Sequence, residues 1–166
     1  TQLGVGKVIL VEPCASSFAI CQANLALHEI KVQPMGKSTE RSKDEDLVFC
    51  YNLACDNQPG QKEMIVYPWL PSHSLFSEFT HLHNSYLNEE HFLNKDASGY
   101  LVRDEKREMA KCVRLSDLLA PKDKIGLLKI DTEGAEARVL GGLDDSDFKR
   151  IQQMAVREKI LGVNKL

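Results

Sequence analysis

The stretch LLKIDTEGAEARVLGGL, residues 127–143, begins as a short apolar strand and continues directly into a group of acids. Apolar residues up to Ile130 precede Asp131, and Glu133 and Glu136 follow within a few positions. Carboxylates this close together repel one another unless a positive group lies among them. The sequence therefore predicts that something positive meets these acids at the end of the strand.

Strands and helices alternate along the chain. The segment KVILVEP (7–13) is predicted as a buried parallel strand, and a helix follows it to about Leu27, with Ser16 and Ser17 as its N-cap candidates. A turn at 56–60 favours a hairpin or a sharp excursion. A short helix is predicted over 135–140, ending at two glycines. Further strands are predicted at 47–54, 64–66, 125–130 and 151–156, with a strand and a helical turn over 112–119. This order is typical of an α/β fold with an open, mostly parallel sheet.

Two predicted strands end in acids, Glu12 and Asp131. Ligands of open parallel sheets bind beyond the carboxyl ends of the strands, where a carboxylate accepts hydrogen bonds from both hydroxyls of a ribose. Such a ribose belongs equally to a nicotinamide dinucleotide or to S-adenosylmethionine. The alternative is structural: Glu12 caps a helix, and the later acids, including Glu133 and Glu136, favour a helix N-terminus through its dipole. Gly134 favours a tight turn over a plain cap.

The composition excludes several classes of function. A net charge of −3 and the lack of a basic segment argue against binding to nucleic acid. No apolar run is long enough to span a bilayer. We therefore expect a cytoplasmic protein and, from its 166 residues, one domain over 1–166. The five cysteines match no zinc spacing, and the pair His81 and His83 lacks the further ligand that a metal centre needs. We expect reduced thiols and no metal site.

The acid-rich stretch closely resembles the signature of the FkbM-type methyltransferases, in which a strand ends in Lys-(Ile/Val)-Asp-x-Glu-Gly-x-Glu. Three other segments resemble that family's second strand and helix, its third strand end and the approach to its signature: VILVEPCASSFAICQANLAL (8–27), NLACDNQPG (52–60) and VRLSDLLAPKDKIGLLKID (113–131). The resemblance implies a Rossmann-like class I methyltransferase fold that uses S-adenosylmethionine. The methyl acceptor it implies is usually a hydroxyl oxygen on a small molecule, sugar or natural product.

The resemblance also implies roles for five residues. Asp131 would lie near the cationic sulfur of the cofactor and take the proton of the acceptor hydroxyl, with Glu133 as the second catalytic candidate. Glu12 would hold the ribose. Leu53 and Ala54, at the end of the third family strand, would lie near the adenine.

The chain departs from the family pattern at two places. No glycine-rich first strand precedes KVILVEP, and Arg157 stands where the family has an acid. We therefore expect a partial methyltransferase domain, incomplete at both ends, whose exposed sheet edges favour self-association. Two alternatives remain open: a non-catalytic, methyltransferase-like remnant that acts as an interaction domain, and a nicotinamide-dependent oxidoreductase, for which the sequence offers no GxGxxG motif.

Overall fold

A computed structural model describes residues 6–33, 47–66, 75–76 and 106–157. The chain divides into two compact units, Thr1–Ala54 and Cys55–Leu166. The expectation of one partial methyltransferase domain over 1–166 stays a prediction.

The first unit is a strand, helix and strand. It contains β1 (Lys7–Val11), α1 (Ala15–Leu27) and β2 (Leu47–Tyr51). The two strands pair in parallel, from Lys7↔Leu47 to Val11↔Tyr51. Both are runs of apolar and β-branched residues, which suit a pleated, covered sheet. The predicted parallel strand at the start of the chain is confirmed, but its five residues are half-buried and not buried as predicted.

Helix α1 begins earlier than its serines predict. Its N-cap is Cys14, which has extended backbone angles, so Ser16 and Ser17 lie inside the helix and their assignment as N-caps is wrong. The reason is a substitute acceptor: Glu12 Oε1 accepts the Cys14 N–H at 2.9 Å. With a carboxylate already satisfying a backbone donor at the helix start, the helix needs no serine cap.

The second sheet has four strands in the order β3–β6–β4–β5. They are β3 (Ala54–Cys55), β4 (Gly60–Val66), β5 (Leu75–Phe76) and β6 (Lys106–Val113). Strand β4 is antiparallel to β5 and to β6, and the β4–β6 ladder runs from Gly60↔Cys112 to Val66↔Lys106. The turn at 56–60 does not close a hairpin, because β6 lies between β3 and β4.

The acid-rich stretch folds as a strand, a tight turn and a helix. Strand β7 (Leu128–Ile130) pairs in parallel with β8 (Met154–Val156). Between them lie α2 (Glu136–Leu140) and α3 (Asp145–Phe148), and a 3₁₀ helix, Leu115–Leu118, precedes β7. The two strands are shorter than predicted, since Ile125 and Ile151 form only an isolated bridge.

A small apolar core supports this stretch. It joins the 3₁₀ helix, β7, α2 and the turn after α2 through four buried side chains: Leu115, Ile130, Val139 and Leu143. Burying four such side chains is worth about 1.5–3 kcal/mol each before the entropy cost of folding. The end of β7 and the start of α2 are therefore held by the same core.

A buried carboxylate fixes α2 from its other side. Asp56 is 0% exposed, and its Oδ1 accepts hydrogen bonds from Arg138 Nε at 2.8 Å and from the Asn57 N–H at 2.7 Å. Its Oδ2 lies 2.6 Å from Lys62 Nζ. A Cβ on Gly142 would lie 2.4 Å from the Asp56 carbonyl oxygen, so only glycine fits there. These contacts tie the turn after β3 to α2.

The described elements form a mixed α/β structure with short sheets that are parallel in part. The α/β class is confirmed, and the sheets are parallel only in part: β1–β2 and β7–β8 are parallel pairs, whereas the long β4–β6 ladder is antiparallel. The open, mostly parallel Rossmann-like sheet stays a prediction. His81 and His83 lie outside the described residues. Within the described ranges, no helix has the length and apolar character needed to cross a membrane.

Candidate active site

The turn between β7 and α2 is organised by the carboxylate of Glu136. This side chain is only 8% exposed and points back over the turn. Its Oε1 accepts the N–H groups of Thr132 at 3.0 Å and Gly134 at 3.2 Å, and its Oε2 accepts the Gly134 N–H at 3.0 Å. Gly134 has φ +113°, a backbone conformation that favours glycine. The turn predicted from Gly134 is therefore present, and Glu136 holds it closed.

The charge of Glu136 is met by backbone donors. Burial raises the pKa of this carboxyl, but the N–H groups of Glu136, Gly134 and Thr132 lower it by more, so the net pKa lies below its usual range. Glu136 is thus an ionised acid in the first turn of α2, as the structural alternative proposed. Sequence reasoning missed its positioning role. The available signal was an acid two residues after a turn glycine at a helix start.

Asp131 follows the last residue of β7 and meets two cations of the protein itself. Its Oδ1 lies 3.5 Å from Arg157 Nη1, and its Oδ2 lies 3.8 Å from Lys129 Nζ. The Arg157 N–H also donates to the Ile130 carbonyl at 3.0 Å, which sets the arginine beside the end of β7. Both pairs are longer than a charged hydrogen bond of about 2.7–2.9 Å. They are loose ion pairs, so a ligand hydroxyl can compete for the carboxylate.

Glu133 occupies the middle of the turn in a strained backbone conformation. Its φ is +55°, which is uncommon for any residue other than glycine, asparagine or aspartate and costs about 1 kcal/mol or more. The Glu136 carboxylate bonds the residues on both sides of it, Thr132 and Gly134. The strain at Glu133 is thus maintained by Glu136.

Glu12 lies in the first unit, just past β1. Its N–H donates to the Tyr51 carbonyl at 3.0 Å, and its carboxylate holds the start of α1 through Cys14. Asn52 Nδ2 donates to the carbonyls of Glu12 and Pro13, both at 2.9 Å. Burial raises the pKa of Glu12, and the Cys14 N–H partly opposes that rise. The backbone around this half-buried acid is fixed on both sides.

Leu53 and Ala54 also lie in the first unit and are buried, with 6% and 3% of their surfaces exposed. Asp131 and Glu133 lie in the second unit. The site residues predicted from the sequence thus fall into two groups, one in each unit. The assignment of all five as catalytic or cofactor-binding stays a prediction.

Comparison with known proteins identifies the family of the chain. The family described as "Methyltransferase FkbM domain" matches residues 2–161. The chain belongs to the FkbM methyltransferase family. The resemblance of its acid-rich stretch to the family signature is thereby confirmed, and the members of this family use S-adenosylmethionine as methyl donor.

Two curated relatives extend the comparison. The chain is 54% identical over 44 residues to "31-O-demethyl-FK506 methyltransferase FkbM" of Streptomyces tacrolimicus, an alignment covering 25% of this chain and 17% of the relative. It is 26% identical over 153 residues to "Methyltransferase 1" of Beauveria bassiana (strain ARSEF 2860), covering 90% of this chain. The chain spans 53% of the length of this second relative. No solved structure matches.

The described residues of this FkbM chain fit the methyl donor of the family in one respect. Glu12 is a half-buried carboxylate at a strand end, and burial raises its pKa. Hydrogen bonds donated by ribose hydroxyls would therefore stabilise its ionised form. Leu53 and Ala54 expose too little surface to add much contact. Within the described ranges, no group of three His, Cys, Asp or Glu side chains is arranged to hold a metal ion.

Proposed function

We propose that this FkbM chain is part of an S-adenosylmethionine-dependent methyltransferase that methylates a hydroxyl oxygen of a small molecule or sugar. The observation that carries the proposal is Asp131: a partly exposed carboxylate at the end of a parallel strand, on a turn fixed by a buried acid. The name of the Streptomyces relative describes methylation at an oxygen, which supports the choice of acceptor.

In this mechanism Asp131 accepts the proton of the acceptor hydroxyl as the new carbon–oxygen bond forms. Its side chain is 31% exposed, so a substrate hydroxyl can reach it. A carboxylate within hydrogen-bond reach is a sound general base for an alcohol. When bound, S-adenosylmethionine would supply the methyl group on a cationic sulfur, and this sulfur would leave with the electron pair of the broken carbon–sulfur bond. The protein must align the acceptor, and the rigid turn is suited to that task.

Glu133 and Glu12 take supporting roles. Glu133, two residues after Asp131 on the same turn, is the second candidate for contact with the acceptor. Glu12 would accept hydrogen bonds from the ribose hydroxyls. Lys129 and Arg157 are 71% and 64% exposed, so their pairs with Asp131 are screened by water and hold it only weakly.

The test is transfer of a labelled methyl group from S-adenosylmethionine to a panel of hydroxyl compounds, with Asp131→Asn compared to the native chain. We expect the variant to keep its fold and its affinity for S-adenosylhomocysteine and to lose turnover, because an amide cannot accept the proton. Asp145→Asn is the matched control, since Asp145 is an exposed acid in the first turn of α3. Full turnover in Asp131→Asn would remove Asp131 from the mechanism.

A second reading, an interaction domain without catalysis, is favoured by one observation. All three residues of β8 are exposed, including Met154 at 39% and Val156 at 38%, and an apolar strand of this kind can pair with another chain. Calorimetric titration with S-adenosylhomocysteine separates the readings. Binding supports the methyltransferase. No binding, together with concentration-dependent sedimentation of the chain, supports the interaction domain.

A further inference from the structure

Two cysteine sulfurs face each other in the first unit. Cys21 lies on α1 and Cys50 on β2, 29 positions apart in the chain, and the Cys50 S–H donates to the Cys21 sulfur at 3.8 Å. Both residues are half-buried thiols in the structure. We propose that Cys21 and Cys50 form a two-electron redox site whose oxidised state is a disulfide linking α1 to β2. This proposal is independent of the methyltransferase assignment.

The geometry requires only a small movement. A disulfide has a sulfur–sulfur bond of about 2.05 Å, so the two atoms must approach by about 1.8 Å. Helix α1 is able to make this shift, because none of its residues from Ala15 to Leu27 is buried. By contrast, Cys50 is fixed in the β1–β2 ladder, where it is the partner of Leu10. We therefore expect the helix to move toward the strand.

The reaction balances with a low-molecular-weight disulfide such as glutathione disulfide as oxidant. The Cys21 thiolate attacks one glutathione sulfur, which breaks the glutathione disulfide and releases one glutathione thiolate. The Cys50 sulfur, losing its proton, then attacks the Cys21 sulfur and releases the second. The two cysteine protons end on the two glutathione thiolates, and the protein has lost two electrons to them.

The order of these steps follows from the thiol environment. Burial, the S–H donated to Cys21 and the charges of Cys21 and Glu12 raise the pKa of Cys50 to about 11. Cys50 is thus protonated at neutral pH, and its contact with the Cys21 sulfur places it as the thiol that closes the disulfide in the second step. The disulfide would hold α1 to β2, in addition to the Glu12 carboxylate, which accepts the N–H of the N-cap residue Cys14.

The test is a titration of the 166-residue chain in glutathione redox buffers, quenched with an alkylating reagent, digested and analysed by mass spectrometry. We expect a linked pair of peptides containing Cys21 and Cys50, lighter by two hydrogen atoms and restored by reductant. Cys21→Ser and Cys50→Ser should each abolish the linked pair and leave at most a glutathione adduct. Cys55→Ser is the matched control and should leave it unchanged.

Two outcomes would overturn the proposal. One is that both thiols stay reduced, or carry only glutathione adducts, in natively folded protein at the most oxidising ratio. The other is that the linked peptides contain Cys55 and Cys112 instead, which lie on the neighbouring strands β3 and β6. Because wild-type protein gives either result, the test does not depend on whether a serine variant folds.

Discussion

Replacing Glu136 by glutamine tests whether one buried carboxylate holds the turn that carries Asp131 and Glu133. Glutamine has nearly the same shape, so the apolar core around α2 stays filled. If its carbonyl oxygen takes the place of Oε1, it still faces the N–H groups of Thr132 and Gly134. Its amide group then replaces Oε2, which accepted the Gly134 N–H at 3.0 Å, and brings a donor against a donor.

The magnitude follows from the three hydrogen bonds of Glu136. A hydrogen bond to a charged group is worth about 1.5–3 kcal/mol, against about 0.5–1.5 kcal/mol for a neutral one. Because the Gly134 N–H is shared between Oε1 and Oε2, these bonds engage only two donors, and the variant leaves each donor with a neutral acceptor at a loss of about 1 kcal/mol. We therefore expect a loss of about 2 kcal/mol in the free energy of unfolding. Glu136→Ala leaves both turn N–H groups without the carboxylate and should cost about 4 kcal/mol.

The assay is denaturant unfolding of the chain followed by circular dichroism, with Asp145→Asn as the matched control. Both are acids in the first turn of a short helix, but Asp145 is exposed, so its amide variant should change the unfolding free energy by less than about 0.5 kcal/mol. Methyl transfer by Glu136→Gln should fall as well, at conditions where the variant is fully folded. Equal stability and equal turnover for both variants would refute the positioning role of Glu136.

Three further outcomes follow from the second unit. Arg138→Met removes one partner of the fully buried Asp56 while Lys62 remains, so the unfolding free energy should fall by about 3 kcal/mol in denaturant titration. Gly142→Ala forces a Cβ to within 2.4 Å of the Asp56 carbonyl oxygen and should cost about 1–3 kcal/mol, seen as a lower thermal midpoint. Acid should destabilise the chain: burial raises the pKa values of Glu136 and Asp147, but hydrogen bonds lower both by more. Their stabilisation is therefore complete above the usual carboxyl range of about 4 and lost as the pH falls through the lower folded values, and Glu136→Gln should weaken that pH dependence.

Local sequence patterns predicted a strand or helix well where a single stretch of sequence determines it. The apolar run of β1 and the glycines after α2 gave elements close to those observed, with Gly141 as the C-cap. The pairing of strands was harder to predict, because the residues that pair between β4 and β6 are 40 to 52 positions apart in the chain. No local signal near the turn at 56–60 tells a hairpin from such an excursion. Long-range pairing is decided by packing that a single segment does not encode.

Side-chain partners at the site were predicted only in part. The crowding of acids implied a positive group, which the family resemblance assigned to the cationic sulfur of the cofactor, and that assignment stays a prediction. The structure places two cations of the protein, Arg157 and Lys129, beside Asp131. Lys129 in β7 is two positions before Asp131, so its contact could be predicted from the local sequence. Arg157 follows β8, and its contact could be predicted only if the parallel pairing of β7 with β8 were known. The anchoring by Glu136 had a local signal, an acid two residues after Gly134, but the N–H groups that it binds depend on the direction in which the carboxylate turns.

The acids of the opening stretch divide into two kinds because their charges are met in two ways. Glu136 is satisfied by backbone N–H groups that no ligand can displace without opening the turn. Asp131 is satisfied by two exposed cations at 3.5 and 3.8 Å, contacts that a ligand can replace at little cost. A carboxylate that must exchange partners during a reaction needs the second arrangement, and one that must hold the geometry needs the first. The amide variants of Asp131 and Glu136 should therefore separate, with turnover lost in the first at native stability and stability lost in the second.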